Sequence, residues 1–451
     1  MEKIVIIGGV AAGTKAAAKS RRLKPDTQID IYTDDTHVSY SACGLPFFIE
    51  GNFDDYNMLI ARTVEEFEES NIHIHLLHRC TKILPDKKQI IVNDFEKKQE
   101  ITVDYDKLVI ATGARPFIPP IKNVNLKNVF TLRTLEDGIN IKEKVLKSKN
   151  AVIVGGGYIG IELLEAFVKQ GLKVKMIEFS PRIMPFFDDE ISDIIKKHIL
   201  ERDGDNVKII NSDAVVELIG ENEVKGVKTK NGLEFDADLV IIATGVKPNV
   251  ELAVDAGIEL GETKAIKVNK KMQTNIEDIY AAGDCIEKNH IVSCTPVWVP
   301  LGSTANKEGR CAAINLCGEK DLFEGILGSA VTRYFGFTMS ITGLTEKQAL
   351  KLGYEPVSVV VTKSDKVGYM PEAKNITIKL IADKNSRKLL GAQGIGCGDA
   401  DKRINTVAAS LVCPMTVDDF FASDLTYAPP YSPSIDPLLT AAEKLIKKLN
   451  G

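Results

Sequence analysis

The chain has 451 residues, of which 44% are hydrophobic and 26% charged, and its formal net charge is −5. This length allows roughly two to four domains with full cores, and the weakly negative charge argues against a general nucleic-acid or membrane-surface protein. No run of about 18 apolar residues occurs, so no membrane span is predicted. The chain enters a strand pattern without a signal peptide, and its eight cysteines form no C-x-x-C pair. We therefore expect a cytoplasmic protein with no disulfide framework and no metal site.

A first nucleotide site is predicted near the N-terminus. An apolar strand at 3–7 leads into Gly8-Gly9-Val10-Ala11-Ala12-Gly13, a helix predicted from Thr14 to Leu23, and a second strand at 28–32. This order is typical of a dinucleotide site, where a helix N-terminus binds the pyrophosphate. Val10 replaces the middle glycine of the usual pattern. The acid that usually binds a ribose is displaced, because Thr33 stands in its place with Asp34 and Asp35 next, and the sequence leaves open which of them takes that role.

A second nucleotide site follows the strand pattern at 151–154. Gly155-Gly156-Gly157-Tyr158-Ile159-Gly160 is a complete G-x-G-x-x-G pattern, followed by a predicted helix at 161–170 and a strand that ends in Glu178. A carboxylate there would accept hydrogen bonds from a ribose 2′-hydroxyl and repel a 2′-phosphate. The sequence therefore favours NADH over NADPH.

Further strands complete the two predicted sites. Strands ending at Ala111-Thr112-Gly113 and Ala243-Thr244-Gly245 would each return the chain from a nucleotide domain, and Asp284 lies at a strand-to-helix turn where it could bind a ribityl or ribose hydroxyl. A helix predicted at 302–316 would direct its N-terminus towards the cofactor.

A single cysteine, Cys43, lies among small residues in Ser39-Tyr40-Ser41-Ala42-Cys43-Gly44-Leu45-Pro46-Phe47. Gly44 allows close backbone approach and Pro46 fixes the exit of the chain, so the thiol could be held against a flat cofactor. The alternative is a thiol that only fills a core. Lys15, Lys19 and Arg22 share one face of the first helix, as either a solvated surface or a cationic groove for a phosphorylated thiol substrate.

Taken in order, GGVAAG, ATGARP, GGGYIG with Glu178, ATGVKPN and YAAGDC resemble the flavin-dependent pyridine nucleotide-disulfide oxidoreductases over essentially the whole chain. The resemblance implies an α/β protein with two Rossmann-like domains and a C-terminal α+β dimerisation domain. The implied bounds are 1–119 and 247–324 for the FAD domain, 120–246 for the NAD(H) domain and 325–451 for the dimerisation domain. The implied cofactor-binding residues are Gly8, Val10, Ala11, Ala12, Gly13, Thr33, Asp34, Ala111, Thr112, Gly113, Arg133, Gly155, Gly157, Tyr158, Ile159, Gly160, Glu162, Glu178, Gly245, Gly283, Asp284, Gly302 and Thr304.

One cysteine stands where relatives of glutathione reductase carry C-x-x-x-x-C, so the chain resembles the single-cysteine branch of that family. The first glycine turn lacks the histidine typical of the oxidases and peroxidases in this branch, and the segment 424–433 resembles the signature of the coenzyme A-disulfide reductases. The resemblance implies FAD, NADH or NADPH, and coenzyme A as substrate or as a mixed disulfide on Cys43. Two alternatives stay open: an NADH oxidase or peroxidase that cycles Cys43 through a sulfenic acid, and a non-catalytic flavin redox sensor.

The same resemblance implies a homodimer in which tyrosines of the partner subunit reach the thiol. The candidates are Tyr369 and Tyr427, with Tyr431 third. The implied substrate-binding residues are Lys15, Lys19, Arg22, Ser39, Ala42 and Asn306. Neither a nucleic acid nor a membrane is expected as a partner.

Overall fold

A parallel sheet of five strands forms the first layer of the computed structural model, which describes residues 2–451. Its central strands are fully buried, with Ile4, Ile6 and Ile29 at 0% exposure, as expected where helices cover both faces of a parallel sheet. In spatial order the strands are Ile279–Ala281, Lys107–Ile110, Lys3–Ile7, Gln28–Tyr32 and Ile72–His75.

A second parallel sheet of five strands repeats this arrangement. In spatial order its strands are Val207–Asn211, Lys173–Glu178, Asn150–Val154, Leu239–Ile242 and Val129–Phe130. In both sheets the strand before a glycine turn is central, and the chain order reverses beside it. Ligands of such sheets bind at this reversal, outside the carboxyl ends of the strands, which is where both glycine turns lie.

The C-terminal layer is an antiparallel sheet of five strands. In spatial order its strands are Ala330–Tyr334, Phe337–Gly343, Leu389–Gly396, Asn375–Asp383 and Pro356–Ser364. The helices Ala400–Val412 and Pro437–Asn450 bury their apolar faces against it, and Ile378, Leu380 and Leu445 are fully buried there. The α/β fold class with two Rossmann-like cores and a C-terminal α+β domain is thereby confirmed.

Shorter strands and the remaining helices connect these layers. The shorter strands are His78–Leu84, Gln89–Asp94 and Gln99–Asp104; Val215–Ile219, Gly226–Thr229 and Glu234–Asp236; Ala114–Pro116 with Val246–Pro248; and Lys288–Asn289 with Pro296–Val297. The other helices are Ala11–Leu23, Leu45–Glu50, Val64–Glu68, Leu135–Val145, Tyr158–Lys169, Asp189–Asp203, Glu251–Asp255, Gly302–Leu316, Glu346–Lys351 and Val417–Phe421, with 3₁₀ turns at Ala42–Gly44, Tyr56–Leu59 and Pro85–Lys87.

Both helices that follow the glycine turns begin earlier than predicted, at Ala11 and Tyr158 rather than at 14 and 161. The predictions were wrong because the last residues of each glycine turn already form the first helical turn. The domain bounds stay a prediction, although the strands 114–116 and 246–248 pair close to the expected bounds of the inserted domain. None of the helices within residues 2–451 is long and apolar enough to cross a membrane.

Candidate functional site

One continuous cavity of about 2660 Å³ joins the two glycine turns to the Cys43 turn, the 3₁₀ turn at residues 42–44. Pockets for a single drug-sized ligand measure roughly 300–1,000 Å³, so this cavity offers room for more than one. The predicted residues that line it are Gly8, Val10, Ala11, Ala12, Thr33, Asp34, Ser39, Ala42, Cys43, Ala111, Thr112, Gly113, Arg133, Gly155, Gly157, Tyr158, Ile159, Glu162, Glu178, Gly245, Gly283, Asp284, Gly302 and Asn306.

Some predicted residues lie elsewhere. Gly13, Gly160 and Thr304 are buried behind the cavity wall rather than part of it. The two glycines permit close packing, because a Cβ on Gly13 would overlap the carbonyl oxygen of Gly8, and one on Gly160 would overlap that of Gly155. Gly13 and Gly160 therefore allow the two turns to pack tightly without lining the cavity themselves.

The first glycine turn packs closely against the end of the neighbouring strand and begins a helix without a side-chain cap. Gly8 has φ +115°, and a Cβ there would overlap the carbonyl oxygen of Ala111 on the neighbouring strand. The helix Ala11–Leu23 begins at this turn with no acidic residue in its first turn, and Val10 has no polar side chain to cap it. Its first backbone N–H groups therefore face the cavity as donors for an anion.

The second glycine turn and the Cys43 region also lie beside helix N-termini that no side chain caps. The helices Tyr158–Lys169 and Gly302–Leu316 follow Gly157 and Leu301, neither of which carries a capping side chain, and both lack acids in the first turn. By contrast, Thr63 and Thr416 close full capping boxes on the helices Val64–Glu68 and Val417–Phe421, which do not line the cavity. Three helices thus offer free N-termini to one cavity.

Asp284 presents a carboxylate oxygen that no residue of the described chain uses. Its Oδ1 is buried without a hydrogen-bond partner among residues 2–451, and its Oδ2 accepts from Arg133 Nη2 at 3.3 Å. The indole of Trp298, the only tryptophan in the sequence, donates to the Asp284 carbonyl oxygen at 2.8 Å. Because a buried acceptor without a partner is costly, this oxygen fits a ligand hydroxyl.

Glu178 lies at the end of its strand beside the second glycine turn. It is buried, and its oxygens accept from the Gly156 N–H at 2.6 Å and the Ser180 N–H at 2.7 Å. Arg182, the nearest arginine along the chain, pairs with Asp189 at 3.1 Å and Asp193 at 2.8 Å. Arg182 therefore does not neutralise Glu178, and the carboxylate of Glu178 would act on a ribose bound at this end of the cavity.

The Cys43 turn leads into the helix Leu45–Glu50, whose Leu45 is fully buried and anchors the turn. Cys43 itself is exposed to the cavity, so it is not a thiol that only fills a core. A Cβ on Gly302 would lie 3.9 Å from Cys43 Sγ. The thiol therefore lies at the N-terminus of Gly302–Leu316, where free N–H groups favour a thiolate.

Other groups act in the opposite direction on this thiol. Desolvation within the cavity raises the pKa of Cys43, and the carboxylates of Glu162 and Asp284 raise it further, whereas Arg133 acts with the helix N-terminus and lowers it. Burial also raises the pKa of Glu162 to about 7, against a hydrogen bond from Thr332 Oγ1 at 2.9 Å. Near neutral pH Glu162 can therefore hold or release a proton on the wall of the cavity.

Asp34 and Asp35, which follow the second strand, each accept a hydrogen bond from a side chain of this protein. Thr33 is buried, Asp34 accepts from Arg79 Nε at 2.9 Å, and Asp35 accepts from the Tyr40 hydroxyl at 2.7 Å. Which of them binds a ribose stays open.

The basic face of the first helix lies outside the cavity wall. Lys15 and Lys19 are half-buried and Arg22 is exposed, and none of the three forms an ion pair with a residue of 2–451. No acidic side chain of the described residues therefore neutralises these three charges. Their role in binding phosphates stays a prediction.

The three predicted tyrosines lie outside the cavity that residues 2–451 of one chain form. Tyr369, Tyr427 and Tyr431 are 73%, 52% and 72% exposed. The buried guanidinium of Arg403 joins two of their segments, because Nη2 donates to the Asp365 carbonyl at 2.9 Å and to the Tyr431 carbonyl at 3.2 Å. The tyrosines are thus presented outward on segments that share an anchor.

Comparisons with known proteins agree with this geometry. Residues 2–309 match the pyridine nucleotide-disulphide oxidoreductase model, and residues 329–438 match the dimerisation domain of the same family. The chain belongs to the pyridine nucleotide-disulphide oxidoreductase family. It is an enzyme of that family, and its cofactors are FAD and a nicotinamide dinucleotide.

Individual members of the family show similarity over the whole chain. The NAD(P)H coenzyme A polysulfide/persulfide reductase of Pyrococcus horikoshii is 39% identical, with 98% of each chain covered. An NADH oxidase of Methanocaldococcus jannaschii is 34% identical, with 100% of each chain covered. The solved NAD-dependent persulfide reductase from A. fulgidus superposes with a TM-score of 0.96 at 35% identity, covering 100% of this chain and 84% of that one.

Sequence reasoning missed several residues at this site. Trp298 and Thr332 contact Asp284 and Glu162, yet neither belongs to a recognisable motif. The uniqueness of Trp298 was the only available signal, and Thr332 comes from a different domain, so its contact depends on the tertiary fold.

Proposed function

We propose that this enzyme reduces coenzyme A disulfide, or a coenzyme A persulfide or polysulfide, with electrons from NADH or NADPH through the single redox cysteine Cys43. The observation that carries the proposal is the position of the thiol, which lies at a free helix N-terminus in the cavity that joins both glycine turns. The name of the Pyrococcus relative supports the substrate class.

When bound, FAD supplies two-electron transfer between the dihydronicotinamide and a sulfur atom. We assign its pyrophosphate to the first glycine turn and a hydroxyl to the free Oδ1 of Asp284. The nicotinamide dinucleotide is assigned to the second glycine turn, with Glu178 at its ribose. Glu162 lies on the same wall and can hold a proton near neutral pH.

The chemistry at sulfur belongs to Cys43. Its thiolate attacks one sulfur of the substrate, the substrate S–S bond breaks, and a new S–S bond joins Cys43 to the retained half. The leaving thiolate takes a proton, and we assign the donor to Tyr427, Tyr369 or Tyr431 of the partner subunit. Two electrons from the dihydronicotinamide and a second proton then release the retained thiol and restore Cys43.

Intact mass and turnover test this proposal together. The purified protein is weighed before and after dithiothreitol with peptide mapping of Cys43, and anaerobic NADH oxidation is followed with coenzyme A disulfide. We expect the loss of one coenzyme A from Cys43 on reduction, and turnover that Cys43→Ser abolishes. Cys294→Ser removes another exposed thiol and serves as the matched control. Full turnover by Cys43→Ser would contradict the proposal.

A second candidate function is NADH oxidation by oxygen, which the name of the Methanocaldococcus relative favours. In that case Cys43 would carry an oxygen adduct rather than coenzyme A. Oxygen uptake that exceeds disulfide reduction at equal NADH would support this second function.

A further inference from the structure

A fully buried ion pair lies directly behind the turn that carries Asp284. The side chains of Lys288 and Glu308 are both 0% exposed, with Nζ 3.4 Å from Oε1. Lys288 follows the Asp284 turn in the chain, whereas Glu308 comes from the helix Gly302–Leu316. Neither residue belongs to a glycine turn or to the Cys43 turn.

The pair holds both polar groups of Gly283. Glu308 Oε2 accepts from the Gly283 N–H at 2.9 Å, and Lys288 Nζ donates to the Gly283 carbonyl oxygen at 3.0 Å. Gly283 has φ +93°, a conformation that an L residue rarely adopts. The backbone immediately before Asp284 is therefore fixed from the interior of the protein.

We propose that Lys288 and Glu308 are positioning residues that fix the Gly283 backbone and thereby orient the Asp284 carboxylate towards the bound FAD. The proposal rests on the assignment of Asp284 to FAD in the proposed function. It explains the buried charges, since apolar residues of similar volume would often stabilise a core equally well or better. It also explains how Asp284 Oδ1 stays free, because the turn is held by its backbone and not by its carboxylate.

The decisive variants remove the two hydrogen bonds to Gly283 without leaving a lone buried charge. Lys288→Met with Glu308→Leu removes both bonds. Lys288→Met with Glu308→Gln keeps an acceptor for the Gly283 N–H. Lys307→Met is the matched control, since Lys307 is exposed on the same helix.

FAD released from the purified holoprotein on dilution is measured by flavin fluorescence and gives the Kd. One lost hydrogen bond corresponds to about a fivefold change, so we expect the Kd to rise about fivefold in the Gln double variant and at least tenfold in the Leu double variant. Lys307→Met should stay within about twofold of the wild type. The unfolding midpoint, measured in excess FAD, separates binding from folding.

A Kd for FAD within about twofold of the wild type in the Leu double variant would overturn the proposal. If Lys288 and Glu308 only filled the core, their replacement would change the unfolding midpoint and not the Kd. If that variant does not fold, the Gln double variant decides by the same criterion. FAD binding does not involve the sulfur substrate. An unchanged Kd for FAD would therefore not contradict the proposed reductase function. A lack of coenzyme A disulfide turnover would likewise not contradict the role of Lys288 and Glu308 in FAD binding.

Discussion

Gly302 lies against the thiol of Cys43, with a Cβ at Gly302 placed 3.9 Å from Cys43 Sγ. The free N–H groups that begin at Gly302 favour the thiolate, and the carboxylate of Glu162 on the helix Tyr158–Lys169 disfavours it. The reactivity of Cys43 therefore depends on the protonation state of a neighbour whose pKa is about 7.

Removing the charge of Glu162 should make Cys43 more reactive. Because the Glu162 carboxylate raises the pKa of Cys43, Glu162→Gln should lower it, and the rate of alkylation by iodoacetamide at pH 8 should rise about two- to fivefold. Peptide mass mapping from pH 6 to pH 9 measures the rate. The gain should fade below pH 7, where Glu162 of the wild type becomes protonated and no longer repels the thiolate.

Glu165→Gln is the control for this experiment, because Glu165 is a buried acid on the same helix that does not act directly on the Cys43 thiol. Its charge raises the pKa of Glu162, so at pH 8 Glu165→Gln leaves Glu162 ionised and should not raise the alkylation rate. Equal alkylation rates for Glu162→Gln and wild type at pH 8 would show that Glu162 does not control the thiol.

The buried amine of Lys379 should contribute strongly to stability. Lys379 Nζ lies 2.9 Å from Asp188, 2.5 Å from Glu190 and 2.8 Å from Glu346, and it joins the second parallel sheet region to the C-terminal sheet. Lys379→Met leaves these acids without their cation and should lower the free energy of unfolding by about 3–5 kcal/mol. Chemical denaturation measures the loss.

Lys347→Met is the matched control, since Lys347 pairs with Asp189 at the surface of the same region. Exposed pairs contribute roughly 0–1 kcal/mol. A similar loss for both variants would mean that burial does not distinguish the two ion pairs.

Local patterns in the sequence predicted much of this fold. The helix bounds Gly302–Leu316 match the predicted ones, because apolar periodicity and the flanking glycine and proline residues mark a helix within its own segment. The glycine turns were identifiable because close backbone approach requires glycine at fixed spacings. Cys43 was identifiable from its small neighbours and its place after the first site.

Contacts between distant segments could not be predicted in this way. Glu308 contacts Gly283 across 25 positions, and Thr332 contacts Glu162 across 170 positions. Neither pair has a spacing or composition that a sequence pattern reports, since each depends on how elements that are distant along the chain pack against each other. The hydrogen bond from Arg79 to Asp34, across 45 positions, could not be predicted for the same reason.

The choice between NADH and NADPH should depend on Glu178. Its buried carboxylate would repel a 2′-phosphate, so Glu178→Ser should raise the ratio of NADPH to NADH reactivity by about tenfold or more. Anaerobic flavin bleaching with each dinucleotide measures this ratio without any sulfur substrate. Glu234→Ser, an exposed acid elsewhere in the same region, should leave the ratio unchanged. An unchanged ratio in Glu178→Ser would remove the basis for the NADH preference.

The exposed tyrosines should matter for turnover but not for the stability of one chain. Replacing Tyr369, Tyr427 and Tyr431 together by Phe should change the free energy of unfolding by no more than about 0.5 kcal/mol per position, because all three are largely exposed. If a tyrosine protonates the leaving thiolate, disulfide turnover should fall at least about tenfold while flavin reduction by NADH stays unchanged. Turnover equal to that of the wild type would exclude these tyrosines as proton donors.

Mixed dimers test whether the tyrosines act across the subunit interface. In a dimer of one Cys43→Ser subunit and one subunit with the three Tyr→Phe changes, the remaining Cys43 meets intact tyrosines only if they come from the partner subunit. Random mixing in equal amounts should then restore about a quarter of the wild-type turnover, since half of the dimers carry one intact site of two. If the tyrosines served the Cys43 of their own chain, neither site would be intact and the mixture would show only the activity of the parent variants.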